Sequence, residues 1–244
     1  MGEQLWEACS GGNVQEVITL LRSSQINTNW QDSELSRTPF YRACGYSGNA
    51  EIVKLLLNDK RVDINKAQSQ GVTPFYIACQ EGHNEIVKLL LDDHRVDINK
   101  TMDMGATPFF IACGSGCIEI VKLLLNDKRV DINQADRIDE TPFYIACQNG
   151  HIEIVKLLLN DNKLDIKKAN SDGVKYILAS RRGIDINQRE NGKTKVVELI
   201  ESFLNHPNET RTKLRIELGF AGNFTFFFFK TKKNFFFHFL FIII

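Results

Sequence analysis

Apolar positions recur along this chain in one helical register. In NEIVKLLL (Asn84–Leu91), Ile86, Val87, Leu90 and Leu91 fall on one side of a helix, while Glu85 and Lys88 face water. EIVKLLL starts at Glu51, Glu85, Glu119 and Glu153. A second block precedes each copy: TPFYRAC from Thr38, TPFYIAC from Thr73, TPFFIAC from Thr107 and TPFYIAC from Thr141, at offsets of 35, 34 and 34 residues. A third follows, VDIN from Val62, Val96 and Val130 and LDIK from Leu164. Thr before Pro marks a helix start, because the hydroxyl accepts an orphan N–H and Pro at the first position loses no hydrogen bond. Helices are therefore predicted over Pro74–Gln80 and Asn84–Leu91, with an extended arm of turn residues from Asp92 to Gly105. Neither helix exceeds about three turns, so neither is stable alone. Each unit has to bury its apolar faces on its neighbours, which makes an all-α solenoid of helix-turn-helix units joined by extended arms.

T-P-F-Y-I-A, then C-Q-E-G-H-N-E-I-V-K-L-L-L and V-D-I-N, resembles the ankyrin repeat, whose signature is T-P-L-H-x-A with a period of about 33. The tetratricopeptide pattern of similar period is absent. The resemblance covers roughly residues 4–204 and departs from the family in three places. The signature His is replaced by Tyr41, Tyr76, Phe110 and Tyr144, so the tie this His makes between repeats passes to aromatic packing. NDKRVDIN is one residue longer than the usual connection, which explains 34 in place of 33. GYSGNAEI (Gly45–Ile52) has one residue more than QEGHNEI and is expected to enlarge the turn between the two helices of that repeat.

The expected division is an ankyrin domain over 4–206, with repeats at about 4–30, 31–65, 66–99, 100–133 and 134–167 and a degenerate cap over 168–206. Leu5–Leu21 aligns without gaps to FYIACQEGHNEIVKLLL and opens the chain without Thr-Pro. KYILASRRG (Lys175–Gly183) resembles a first helix and KVVELIESFL (Lys195–Leu204) a second, so together they make one composite cap, with Leu199, Ile200 and Phe203 closing the open end. PNETRTKLRIELG (Pro207–Gly219) reads as a short amphipathic helix with Leu214 and Leu218 inward. Eleven of the 17 Phe lie in 220–244, which resembles no folded element. FFFHFLFIII reaches about 15 Å of a bilayer core of about 30 Å, and extending back to Phe220 places three Lys mid-span. Nineteen of those 25 residues are Phe, Lys, Asn or Ile, which A/T-rich codons specify, so the segment reads as a disordered tail or a gene-end artefact rather than an anchor.

Composition narrows the chemistry. Lys+Arg and Asp+Glu number 30 each, and a net charge of zero argues against nucleic acid as partner. MGEQLWEACSGG has neither the basic start nor the apolar core of a secretory signal, and six cysteines without one imply reduced thiols in the cytoplasm. Cys9, Cys44, Cys79, Cys113 and Cys147 occupy one position in successive repeats and read as small buried apolar residues. His83, Cys117 and His151 form a column, but repeats about 8–10 Å apart cannot share a zinc ion bound at about 2.0–2.3 Å. The recurring Glu51, Glu85, Glu119, Glu153 and Asp63, Asp97, Asp131, Asp165 sit in equivalent environments, whereas paired catalysis needs unequal ones. No phosphate loop, nucleophile elbow or kinase signature occurs, so neither enzyme activity, cofactor, metal nor small-molecule substrate is expected.

The resemblance implies a monomeric scaffold that binds a protein on a concave face made of arm tips and first helices. The tips vary from copy to copy beside near-identity elsewhere. The candidate contact residues are Leu35, Arg37, Ser69, Gln70, Val72, Asp103, Met104, Arg137, Ile138 and Glu140 on the tips, and Tyr46, Gln80, Glu81, Ser115, Gln148 and Asn149 after the cysteines. Of these, Leu35, Tyr46, Met104 and Ile138 are the expected anchors. The alternative is a non-catalytic fragment of a larger signalling enzyme or membrane-associated protein, with the tail as a remnant.

Overall fold

The computed structural model describes residues 2–165 and 191–218, for 191–197 the backbone alone. The helices are α1 (Gly2–Gly11), α2 (Val14–Leu21), α3 (Pro39–Arg42), α4 (Ala50–Asn58), α5 (Pro74–Gln80), α6 (Asn84–Asp92), α7 (Pro108–Gly114), α8 (Ile118–Asn126), α9 (Pro142–Gln148), α10 (Ile152–Asn160), α11 (Asn191–Asn205) and α12 (Pro207–Glu217). Among the described residues there is no strand. First helices pack on first helices, and second helices on second helices.

Local chemistry sets each unit. The hydroxyls of Thr38, Thr73, Thr107 and Thr141 accept from the backbone N–H three residues on, at 3.0–3.2 Å. Pro fills the next position of each helix. The Phe after it (Phe40, Phe75, Phe109 or Phe143) is fully buried and anchors the layer, and burying one such side chain contributes roughly 1.5–3 kcal/mol. Gly82 ends the α5 segment at φ +76°, where a side chain would strain the backbone.

The arms tie the layers together through repeated polar contacts. In VDIN the Val and Ile turn inward and the Asn side chain reaches the next repeat. Asn65 Nδ2 donates to Arg95 O at 2.7 Å while its Oδ1 accepts from Asp97 N at 2.9 Å. Asn99 does the same with Arg129 O and Asp131 N, and Asn133 with Lys163 O and Asp165 N. Asn29 does so with Arg61 O and Asp63 N, so INTN (Ile26–Asn29) is a first VDIN that sequence reasoning passed over. A second series caps helix ends, where unpaired carbonyls favour cations. Arg61 reaches Leu21 O, Arg95 reaches Leu57 O and Arg129 reaches Leu91 O, at 2.7–2.8 Å. Each guanidinium also holds the Asp two residues before it, Asp59, Asp93 or Asp127.

Two sequence expectations change here. The extra residue of GYSGNAEI does not enlarge the turn. It is taken up inside the first helix, where Ala43–Ser47 form a π-helical turn before Gly48. The reason is steric: Gly48 must still meet the His83 ring and Asn49 must still cap α4, so the helix absorbs the insertion. Val72 is buried at 7 % exposure among Tyr41, Tyr76, Ala106 and Phe110, and so belongs to the packing between arms, not to a contact surface. That same cluster is the aromatic tie that replaces the signature His.

At the far end Ile200, Phe203 and Leu214 are buried, with Leu199 and Leu218 packed beside them. α11 and α12 both lie on α10. Arg211 Nε donates to Leu159 O at 3.3 Å, one 34-residue step beyond Leu125, whose carbonyl takes Lys163 Nζ at 3.5 Å. The expected first-helix half of the cap, Lys175–Gly183, and the tail over 220–244 lie outside the described residues.

Replacing Asn99 by Ala deletes both bonds of one carboxamide, and should cost about 1–3 kcal/mol by urea denaturation followed by circular dichroism. Hydrogen bonds from Arg61, Arg95 and Arg129 hold the carboxyls of Asp59, Asp93 and Asp127 below the usual range. Their stabilisation is therefore complete above the unfolded value of about 3.9 and is lost as pH falls through the lowered folded value. Asp93→Asn should lower the melting temperature at neutral pH and flatten its decline between about pH 4 and 2, read by thermal melts across that range.

Candidate protein-binding surface

Each arm doubles back at its tip as a hairpin turn. Gln68 N donates to Val72 O and Met102 N to Ala106 O, both at 3.0 Å, and Asp136 N to Glu140 O at 2.9 Å. Neighbouring tips are joined by one backbone bond each: Ser69 N to Leu35 O at 2.7 Å, then Asp103 N to Gln70 O and Arg137 N to Met104 O at 3.0 Å. Acceptor side chains tie down the N–H groups at the turns. Asp32 Oδ1 takes Glu34 N and Leu35 N, Gln68 Oε1 takes Gln70 N, and Asp136 Oδ1 takes Ile138 N and Glu140 N. The tips are thus a fixed row that presents its outward side chains at fixed spacing.

Met104 and Ile138 stand out from this row, 54 % and 62 % exposed, and Tyr46 stands out of the π-helical turn at 67 %. Ser69, Gln70, Asp103, Arg137, Glu81, Ser115, Gln148 and Asn149 are also exposed, and Leu35, Gln80 and Glu140 half-buried. Several are engaged within the stack. Arg37 is paired with Asp32 and Glu34 at 2.6 and 2.7 Å, with its side chain 14 % exposed. Asn149 Nδ2 donates to Gly114 O at 2.8 Å. Burial and the neighbouring Asp136 push the Glu140 carboxyl above its usual range.

A second stripe was missed by sequence reasoning. Ile77, Ile111 and Ile145 are half-buried on the first helices, at the position held by Arg42 in the repeat before them. They sit inside the constant TPFYIAC block, and constancy reads as stacking. Part of that reading holds: a Cβ on Gly45 would come within 2.5 Å of the Ile77 side chain, so the close approach of α5 requires glycine there.

The His83 column makes ties of its own. His83 Nε2 lies 3.0 Å from Gly45 O and His151 Nε2 2.9 Å from Gly114 O. Cys117 Sγ points at Gln80 O, 3.9 Å away. Each thus bonds a carbonyl of the preceding repeat. Among the described residues no three His, Cys, Asp or Glu lie close enough to share a metal ion.

The five core cysteines are buried. Burial pushes the Cys9 thiol up to about 12 and those of Cys44, Cys79, Cys113 and Cys147 well above the ordinary value. Cys117 is half-buried and raised less. A disulfide reagent at pH 8 should therefore label one of the six thiols, Cys117, in the native protein and all six in denaturant, by absorbance and peptide mapping. Cys79→Ala removes little volume and should cost about 1 kcal/mol by chemical denaturation.

Comparison with known proteins agrees with the repeat geometry. The family model described as ankyrin repeats (3 copies) matches residues 5–102 and 95–170. No curated protein matches the chain. With paired helices, Thr-Pro starts and hairpin arms repeated through the matched region, the chain belongs to the ankyrin repeat family.

Proposed function

We propose that the chain is a non-catalytic interaction module that holds a protein partner on the face built from arm tips and first helices. Ankyrin repeats mediate protein–protein interaction, and the observation that carries the finer reading is where apolar surface is left uncovered. Tyr46, Met104 and Ile138 are exposed on that one face, and the other large exposed apolar side chains among the described residues, Leu204 and Ile216, belong to the cap helices. Aromatic and large apolar groups supply most of the energy of a protein interface when surrounded by polar rim residues. Ser69, Gln70, Asp103, Arg137, Gln80, Glu81, Ser115 and Gln148 would form that rim. The opposite face carries a mixed-charge surface: Lys54 pairs with Glu85 at 3.1 Å and Lys122 with Glu119 at 2.7 Å.

No helix among the described residues is long and apolar enough to cross a membrane. The free thiols fit a reducing compartment, and we place the protein in the cytoplasm as a monomer.

The triple variant Tyr46→Ser, Met104→Ser, Ile138→Ser should lose partner capture and lower the melting temperature only modestly, since Met104 and Ile138 stand in water and Tyr46 gives up one ring contact, that with Arg42. Lys54→Ala, Lys88→Ala and Lys122→Ala together should keep it. Pull-down yield and thermal melting of both variants check this, and capture lost on the lysine face instead would overturn the assignment.

A further inference from the structure

Five first helices place one side chain at the same point, directly before Ala-Cys: Glu7, Arg42, Ile77, Ile111 and Ile145. Glu7 is exposed, the three isoleucines form the apolar part of the row, and Arg42 stands between the two. Arg42 is 7 % exposed. Its guanidinium lies between two rings, with Cζ 4.6 Å from the centroid of Trp6 and 3.3 Å from that of Tyr46. Nε donates to Ser10 Oγ at 2.8 Å. Its two terminal nitrogens have no acceptor, and no carboxylate lies within 4.0 Å of it, among the described residues. The acids of the neighbouring tip, Asp32 and Glu34, are both bound by Arg37. The Trp6 indole N–H in the same cluster is enclosed and unpaired, the one such side-chain atom among the described residues. The terminal nitrogens of Arg42 are not enclosed in that way and keep some contact with solvent.

A cation removed from water without a counter-charge is costly, and ring contacts offset part of that cost. The same rings hold the guanidinium in one orientation, so little side-chain freedom is lost when its two free N–H groups are met. A planar fork of this kind matches a carboxylate. The socket offers one unpaired cation, since Arg37 is already neutralised, and one positive charge balances a carboxylate better than a phosphate dianion.

We propose that Arg42, clamped by Trp6 and Tyr46, receives an acidic side chain of the bound partner. The partner is a peptide segment whose Asp or Glu is followed by apolar side chains lying along Ile77, Ile111 and Ile145. This rests on the reading of the tip-and-helix face as the binding surface.

The chain's two tryptophans are Trp6 and Trp30, with ring centroids 6.2 Å apart, so intrinsic fluorescence reports on this corner. Phage-displayed random dodecapeptides would be selected on the full chain and on its R42Q and R42E variants, with folding followed by circular dichroism. The proposal expects wild-type selections to carry Asp or Glu at a fixed spacing from apolar positions and to change tryptophan emission on binding. Exchanging that acid for its amide in the synthetic peptide should weaken binding to the unaltered chain by about 10–100-fold, the range for a hydrogen bond to a charged group. That measurement stands even where R42Q folds poorly. R42E should reverse the selected charge to Lys or Arg.

Selected peptides with no acidic position, or amide versions that bind equally well, overturn the proposal. Competition by millimolar inorganic phosphate and not by acetate overturns it too, reassigning the socket to a phosphate group. In those cases the binding-face reading survives if Met104→Ser with Ile138→Ser still releases the peptides. Both ideas fall if that double variant retains them, or if the wild-type chain selects none.

Discussion

A side-chain amide that behaves as an extra peptide group holds this molecule in register. The carboxamides of Asn29, Asn65, Asn99 and Asn133 each donate to a carbonyl and accept from an N–H of the following arm. Each helix pair is too short to persist alone, and the hydrophobic layers between repeats give attraction without fixing one offset. The carboxamide supplies that offset because its donor and acceptor must both be met. Helix-end cations, tip-to-tip backbone bonds and His-to-carbonyl contacts then repeat at the spacing it sets. The exposed side chains inherit their relative positions from this chain of contacts.

How much of this was legible depended on whether a residue does one job or two. The Thr-Pro starts, the buried cysteines and the EIVKLLL faces each have one role, repeated without change, and the helices over Pro74–Gln80 and from Asn84 follow from it. Arg61, Arg95 and Arg129 do two jobs, gripping an acid in their own loop and a carbonyl of the previous repeat, and the sequence shows the first pairing alone. The extra residue before Gly48 could have gone into turn or helix. The choice was made by contacts with Asn49 and His83 that no local pattern reveals.

The binding surface was legible in part for a related reason. Variation among copies marks the tips, and the exposed Met104 and Ile138 were found by it. It is blind to a side chain that serves stacking with one edge and faces solvent with the other, as Ile77, Ile111 and Ile145 do. Val72 is the opposite error, a residue in a variable tip that points inward because the aromatic layer beneath needs filling. Arg42 differs from Ile77, Ile111 and Ile145 at the same position and was legible as a difference. Its meaning came from Trp6, which stands 36 positions earlier.

The row of helix-end carbonyls carries a consequence for how such arrays change length. Leu21, Leu57, Leu91 and Leu125 offer their oxygens to a cation from the following arm, while Leu159 offers its own to Arg211 of the cap. The joint at the end of the array is the same as the joints inside it, merely filled by a different segment. A duplicated 34-residue unit spliced in before the cap would bring one new oxygen and one new cation, and every existing joint would stay matched. Growth or loss of whole units thus leaves no orphaned contact behind. An insertion of any other length has to be absorbed within its own unit, as the π-helical turn over Ala43–Ser47 absorbs one residue while the joints at Leu21 and Leu57 stay paired.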